Sequence, residues 1–284
     1  IATFLELVHI DSPSGSEDAI ADNLEERLRA LGLEVAPDAA GNILGSLSGE
    51  GEPLLLSAHM DTVEPGRGIK IQMDGDVIRS DGNTILGADC KGGIAVILEV
   101  LETLKEAGVS RRAVEVALSR GEEIGLVGAQ QMDYSRLRAR SALIMDGGGP
   151  PNQITDVAPF SWQYDVDVFG RSAHAGVAPE RGVPAIRIAA EVVMGLPQGR
   201  LDEGTTGNVG HIQGGQVRNA VPEHCHLQCD MRSQSERKLY AMRHAVEQHI
   251  VAVTASHPGV RIESQFGQAY QGYRLDHKNV TVEM

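Results

Sequence analysis

Short apolar runs alternate with amphipathic helical stripes through the first half of the chain, and this alternation constrains the fold more than any other feature. The predicted strands cover residues 33–36, 42–47, 54–58, 113–118 and 142–145. The predicted helices cover residues 17–31, 92–107 and 124–132. The first of them follows Ser16 as its N-cap and starts with an acidic turn that contains Glu17 and Asp18. A hairpin turns at Asp74-Gly75. Strands that alternate with helices are typical of a doubly wound, mostly parallel sheet, whose ligands bind beyond the carboxyl ends of the strands. We therefore predict an α/β domain over residues 1–157.

The pattern changes after Pro150-Pro151. Residues 162–168 alternate apolar and polar side chains, as in an antiparallel strand with one face in water. A helix over 183–196, strands over 207–212 and 223–231, a helix over 236–256 and a strand over 260–266 follow. This order, β-α-β-β-α-β, is that of a ferredoxin-like α+β domain, which we predict over residues 158–270.

The composition excludes several classes of protein. Hydrophobic residues make up 42% of the 284 residues, which is typical of a globular chain. The net charge of -14 argues against a nucleic acid or an anionic membrane as the partner, and no run approaches the roughly 18 apolar residues of a membrane span. The three scattered cysteines are an odd number, which suits a reducing compartment. We therefore expect a cytoplasmic protein.

Residues that can bind a metal ion follow the ends of three predicted strands, and one more lies in a glycine-rich loop before the second helix. In chain order they are His59, Asp61, Asp89, Glu122, Glu123 and Asp146. Because ligands of such sheets bind at the carboxyl ends of the strands, we expect these side chains to share one edge.

One imidazole and several carboxylates suit zinc, manganese or cobalt. Two metal ions that share a carboxylate would polarise a carbonyl group and activate a water molecule. One of the adjacent acids Glu122 and Glu123 would then be a ligand and the other a general base, although a solvated acidic helix start also explains the pair. Asp61 would orient the imidazole of His59, whereas an ordinary buried histidine is the alternative.

The motifs at these positions resemble those of the co-catalytic zinc metallopeptidase family that includes peptidase T, succinyl-diaminopimelate desuccinylase and the glutamate carboxypeptidases. They are His59-Met60-Asp61-Thr62-Val63, Gly87-Ala88-Asp89 with Lys91-Gly92, Gly121-Glu122-Glu123-Ile124-Gly125, and Asp146. The resemblance implies that His59, Asp89 and Asp146 bind one zinc ion. It also implies that Asp89 and Glu123 contribute to a second zinc site. Glu122 would be the general base, and Asp61 would orient His59.

The resemblance extends to the second domain, which would be an inserted lid through which the chain forms a homodimer. The stretch Gly170-Arg171-Ser172-Ala173-His174-Ala175-Gly176 is similar to one whose histidine reaches the partner subunit and stabilises the oxyanion. Asn219 and Arg232 match lid positions that bind the substrate and its carboxylate. A turn residue at position 174 and a surface strand end at position 232 are the simpler alternatives. The stretch Pro179-Glu180-Arg181-Gly182 is similar to the peptidase T branch.

The three cysteines are interpreted as structural. His224, Cys225, His226 and Cys229 could suggest another zinc site, but strand alternation places the histidines and the cysteines on opposite faces. Cys90 is interpreted as a small packed residue, because no histidine base can be identified for it.

Members of this family return from the lid to the catalytic domain, and the returning segment carries a late histidine ligand of the second zinc ion. We interpret residues 271–284 as the start of this return and expect the chain to be truncated at both ends. His277 lacks glycine-rich surroundings and is interpreted as a surface residue.

The resemblance implies a metal-dependent exopeptidase, aminotripeptidase-like, that hydrolyses short peptides with a dizinc-activated water molecule. Two alternatives remain: an amidohydrolase of N-acyl amino acids, and an inactive fragment or binding domain that lacks the last metal ligand.

Overall fold

The computed structural model describes residues 1–150 and 152–276, which form two compact units. The first unit contains Ile1–Gln153 and the second begins at Ile154, whereas the sequence pattern predicts the boundary after residue 157. The interpretation of His277 and the end of the predicted return segment lie outside the described residues.

The first unit is an α/β domain built on one five-stranded sheet. Its helices are α1 (Ala2–Val8), α2 (Asp18–Ala30), α3 (Ala88–Ala107) and α4 (Val127–Gln131), followed by a 3-10 turn at Tyr134–Arg136. Its strands are β1 (Glu34–Pro37), β2 (Ile43–Leu47), β3 (Glu50–His59), β4 (Ile71–Asp74), β5 (Val77–Ser80), β6 (Arg112–Ser119) and β7 (Ser141–Ile144). The main sheet has the order β1-β2-β6-β3-β7, and β4 and β5 form the predicted hairpin.

The α/β class predicted from the sequence is confirmed, but the sheet is mixed. Strand β3 pairs in parallel with β6 and β7, whereas β2 pairs antiparallel with β1 and β6. The reason lies in the connection between β1 and β2, residues 38–42, which is too short for the crossover that parallel strands require. The parallel part of the sheet is therefore β6-β3-β7, and this part carries the candidate site.

The core of the first unit lies where the apolar stripes of the helices meet the sheet. Helix α2 buries Ile20, Leu24 and Leu28 at the spacing of one helical face. Helix α3 begins after Gly87 and ends at Gly108, and both glycines have the positive φ angles that other residues avoid. Strand β6 is buried from residue 113 to residue 119, as expected for a central strand covered on both faces.

The second unit is an α+β domain with two helices and a five-stranded antiparallel sheet of order β11-β12-β14-β9-β15. Its helices are α5 (Ala185–Gly195) and α6 (Glu236–Ser256), and a 3-10 turn covers Pro179–Arg181. Its strands are β8 (Val157–Ala158), β9 (Phe160–Phe169), β10 (Ala173–His174), β11 (Gly199–Asp202), β12 (Thr205–Gly214), β13 (Ala220–Val221), β14 (His224–Ser233), β15 (Arg261–Tyr270) and β16 (Tyr273–Arg274). The four long strands and two helices follow the predicted ferredoxin-like order.

Strand β14 shows how alternation divides the side chains of this sheet. Cys225 and Cys229 are buried in the core of the second unit with the apolar side chains of α5 and α6. His224 and His226 lie on the opposite face, where their ring nitrogens are 2.7 Å and 3.0 Å from Oδ1 of Asp167. The two cysteines are therefore separated from the histidines, as the alternation predicts.

Within the described part of the chain, no helix combines the length and the apolar character needed to cross a membrane.

Candidate metal centre

The candidate site lies at the carboxyl ends of the parallel strands and at the start of α3. His59 is the last residue of β3, Asp146 follows the end of β7, and Glu122 and Glu123 follow the end of β6. Asp89 lies in the first turn of α3. The sequence predicts these residues at one edge, and the structure brings all of them around the imidazole of His59.

Two groups of possible metal ligands share that imidazole. The first contains His59, Asp89, Cys90 and Asp146, and the second contains His59, Glu122 and Glu123. Within each group, one ligand atom per residue lies within 4.8 Å of the others. Nε2 of His59 is 3.0 Å from Oδ1 of Asp89 and 3.9 Å from Oδ2 of Asp146. A nitrogen ligand surrounded by carboxylate oxygens is a donor set that suits zinc and similar divalent ions.

Cys90 makes a contact of its own within the first group. Its Sγ donates to the backbone carbonyl of Met145 at 2.9 Å, and burial raises the pKa of the thiol to about 12. In the metal-free chain a thiol with such a pKa stays protonated and is a poor nucleophile. These contacts support the interpretation of Cys90 as a packed residue.

Asp61 connects the histidine to the turn that carries the two glutamates. Its side chain is fully buried, and Oδ1 lies 3.3 Å from Nδ1 of His59. Oδ1 also accepts the backbone N–H of Glu122 at 2.9 Å, while Oδ2 accepts the backbone N–H of Glu123 at 3.1 Å and the hydroxyl of Ser14 at 2.6 Å. One carboxylate therefore lies against the imidazole and accepts hydrogen bonds from both backbone N–H groups of the Glu122–Glu123 turn.

The helix predicted over residues 124–132 begins later than expected. Residues 121–126 form turns instead, Leu126 has a left-handed φ of 61°, and α4 starts at Val127. The apolar spacing favoured an earlier start, but Asp61 binds the two backbone N–H groups of this turn from 61 and 62 residues away. A long-range contact has thus overridden a local pattern.

The electrostatics of the site favour a bound cation. Burial raises the pKa of Glu122, Glu123 and Asp146, and each of them is raised further by neighbouring carboxylates. Burial lowers the pKa of His59, but contacts with Asp61 and Asp146 outweigh this effect and raise the pKa to about 9. Carboxylates that resist ionisation around one imidazole are the arrangement that a divalent ion stabilises. The residues present therefore fit a metal ion.

Several residues that support the site were missed in the sequence. Glu17, interpreted there as part of an acidic helix start, is buried and accepts the backbone N–H groups of Gly15 and Gly121, both at 3.0 Å. Lys91 is fully buried, and its Nζ donates to the carbonyl of Ile10 at 2.6 Å. Burial lowers the pKa of Lys91 to about 8. For Glu17 the local signal is the run of small and hydroxyl residues that precedes α2, and for Lys91 it is the motif that begins at Gly87.

The candidate residues of the second unit fall into two places. His174 is exposed in β10, which pairs with β13, and its register partner is Ala220. Asn219 is adjacent, and its carbonyl accepts the backbone N–H of Ala175 at 3.0 Å. Arg232 lies near the far end of β14, where its Nε donates to Asp230 at 3.0 Å. The structure therefore brings the backbones at His174 and Asn219 together beside the two-stranded β10–β13 sheet and places Arg232 on the five-stranded sheet.

Possible metal ligands at the edge of an α/β sheet, followed by a ferredoxin-like α+β domain, are an arrangement typical of a class of metallopeptidases. Residues 161–258 match the family model described as the M20 peptidase dimerisation domain. A tripeptidase structure from Staphylococcus aureus superposes with a TM-score of 0.93 at 33% identity, over 99% of this chain and 78% of that one. Aminopeptidase PepT from Bacillus cereus superposes with a TM-score of 0.87 at 34% identity over the same shares. The protein YqjE of Bacillus subtilis is 35% identical over 99% of this chain and 78% of its own length.

The chain belongs to the M20 metallopeptidase family. The predicted resemblance, the fold class and the assignment to a metal-dependent exopeptidase of this family are confirmed by these relatives. A dimerisation domain within residues 161–258 also agrees with the expected dimer.

Proposed function

We propose that the chain is an aminopeptidase that removes a residue from short peptides, in the manner of a tripeptidase. The observation that carries the proposal is the turn held by Asp61, which presents Glu122 and Glu123 beside the ligand group of His59, Asp89 and Asp146. The tripeptidase and the aminopeptidase among the relatives support a short peptide as the substrate.

The proposed cofactor is a pair of zinc ions, with manganese and cobalt as alternatives. His59, Asp89 and Asp146 would hold one ion, and Asp89 and Glu123 would contribute to the second. When bound, these ions polarise the scissile carbonyl and lower the pKa of the attacking water.

Glu122 is the proposed general base. Its carboxylate takes a proton from the attacking water as the new C–O bond forms, and the proton is then delivered to the leaving amine as the C–N bond breaks. Glu123 is the adjacent residue, and Asp61 holds the backbone N–H groups of both. The two side chains are thereby given separate positions, so that one can bind metal while the other carries the proton.

Asp61 is the proposed partner of His59. Its Oδ1 faces Nδ1 of the imidazole at 3.3 Å and directs Nε2 towards Asp89 and Asp146. A carboxylate in this position selects the tautomer whose Nε2 lone pair is available to a metal ion.

The second unit is the proposed source of substrate contacts and of the homodimer. At about 3.3 Å per residue, β14 extends roughly 25 Å from His224 to Arg232. Asn219 lies five residues before this strand in the chain, and its carbonyl accepts the backbone N–H of Ala175, the residue after His174. A tripeptide is only about 10 Å long. This separation supports a dimer in which His174 and Asn219 of one protomer serve the active site of its partner. Arg232 would then bind a substrate carboxylate in the other active site of the dimer. Three free cysteines suit the proposed cytoplasmic location.

The experiment measures metal content and the release of amino groups from tripeptides. Glu122→Gln should lower kcat by at least about 100-fold while metal content is retained, because the amide cannot accept a proton. Glu106→Gln removes a charge from an exposed helical position and is the matched control, which should retain activity.

Equal activity in Glu122→Gln and the unchanged protein would refute the proposed base. Hydrolysis of N-acyl amino acids without cleavage of tripeptides would favour the amidohydrolase alternative. Retained metal with no turnover of either substrate class would favour a binding domain.

A further inference from the structure

The segment that precedes α2 reaches the candidate site through one hydroxyl group. The Oγ of Ser14 donates to Oδ2 of Asp61 at 2.6 Å. This distance is typical of a strong O–H···O⁻ hydrogen bond, in which the charged acceptor strengthens the interaction. The same oxygen accepts the backbone N–H of Glu123, so that Ser14 and the Glu122–Glu123 turn meet on one carboxylate.

Ser14 lies in a segment that hydrogen-bonds to Thr62, next to Asp61, and to Gly121, next to Glu122. Its backbone N–H donates to the carbonyl of Thr62 at 3.3 Å, and the N–H of Thr62 donates to the carbonyl of Ser12 at 2.9 Å. Three residues further along, Glu17 accepts the N–H of Gly121, which directly precedes Glu122. The hydroxyl is therefore presented from a fixed segment and is not a mobile surface group.

The carboxylate of Asp61 is fully buried, so each of its hydrogen bonds affects its position. Burial alone would raise the pKa of Asp61, but the contacts with His59, Ser14 and the N–H groups of Glu122 and Glu123 hold it down to about 2. If one donor is lost, the carboxylate has no solvent to replace it and must shift towards the remaining donors. A shift of Asp61 moves the Glu122–Glu123 turn, because both backbone N–H groups of the turn bind it.

We propose that Ser14 is a positioning residue, whose hydroxyl fixes Asp61 and through it the turn that presents Glu122. The catalytic part of this inference rests on the proposed role of Glu122 as general base. The structural part, in which Ser14 orders the turn, does not depend on any activity.

The test compares Ser14→Ala with Ser14→Thr and Ser12→Ala in the metal-free and the metal-loaded chain. Ser14→Thr keeps a hydroxyl group. Ser12→Ala is the matched control, because the buried Ser12 hydroxyl belongs to the same segment but donates to the carbonyl of Met60 at 2.9 Å. We expect Ser14→Ala to lower kcat about 5- to 50-fold with KM within about twofold of the unchanged protein. Ser14→Thr should recover most of kcat, and Ser12→Ala should leave it unchanged.

The second measurement is hydrogen exchange of the backbone amides of residues 121–126 in the metal-free chain. Ser14→Ala should accelerate this exchange about fivefold or more, whereas Ser14→Thr and Ser12→Ala should leave it within about twofold. Unchanged exchange in Ser14→Ala, or equal acceleration in Ser12→Ala, would overturn the inference. If the unchanged protein cleaves no peptide, the proposed function fails, and hydrogen exchange alone decides the role of Ser14.

Discussion

Replacement of Asp61 by asparagine should damage the site in a way that its hydrogen bonds define. The amide has one oxygen and one NH₂ group, whereas both oxygens of the carboxylate accept hydrogen bonds. If NH₂ replaces Oδ1, it faces the N–H of Glu122 and Nδ1 of His59, which both need an acceptor. If NH₂ replaces Oδ2, it faces the N–H of Glu123 and the hydroxyl of Ser14. The second orientation is favoured, because the hydroxyl can rotate and accept while Oδ1 continues to serve His59.

One backbone N–H, that of Glu123, is then left buried against a donor in Asp61→Asn. An unsatisfied buried donor costs about 1–3 kcal/mol, and the turn must move to relieve it. We therefore expect the free energy of unfolding to fall by about 1–3 kcal/mol. If the same free energy is needed to return the turn to its active position, kcat/KM falls about 5- to 150-fold. Metal affinity should fall about 10- to 100-fold, as is usual when a group that orients a ligand is replaced.

The assay combines metal competition with a chromophoric chelator, kcat/KM for a tripeptide, and chemical denaturation of the metal-free chain. Asp38→Asn is the matched control, because Asp38 is likewise a carboxylate whose two oxygens accept several hydrogen bonds, four in its case. Its donors are the N–H groups of Ala40, Asn42 and Asp133 and the amide of Asn42. This variant should lose stability but keep metal affinity. Equal metal affinity and kcat/KM in Asp61→Asn and the unchanged protein would refute the reasoning, as would an equal loss of metal affinity in Asp38→Asn.

Two further outcomes are expected. Metal affinity should increase as the pH rises towards about 9. The raised pKa of His59 keeps its imidazole protonated below that value, and the proton must leave before a metal ion binds. A metal affinity that is constant between pH 6 and pH 9 would contradict this prediction. Mixing His174→Ala chains with Glu122→Gln chains should restore up to about one quarter of the activity. Half of randomly mixed two-fold dimers are heterodimers, and each heterodimer has one intact site out of two. Differently tagged chains would demonstrate that subunits exchange, and no recovery of activity after such exchange would contradict the contribution of His174 to the partner's site.

The sequence predicts most of the elements, because the apolar spacing of strands and helices is a local property. The antiparallel β1–β2 pair was missed within a sheet predicted to be mostly parallel, although the short connection over residues 38–42 was visible in the sequence. The late start of α4 and the buried positions of Glu17 and Lys91 were missed for a different reason. Their partners, Asp61, Gly121 and Ile10, lie 61 or more residues away, and no spacing rule identifies such contacts.

The environments of the acidic residues around His59 separate their roles, which the residue types alone cannot do. Both oxygens of Asp61 accept hydrogen bonds from the protein. Burial alone would raise its pKa, but contacts with His59, Ser14 and the N–H groups of Glu122 and Glu123 hold the pKa of Asp61 down to about 2, so it remains an anion. Burial and neighbouring negative charge raise the pKa of Glu122, Glu123 and Asp146, so their ionised forms are stabilised only when positive charge is nearby. Titratable groups whose surroundings shift their pKa values in opposite directions have different tasks. Asp61 is therefore suited to positioning, whereas the other three are suited to binding a metal ion and transferring a proton beside it.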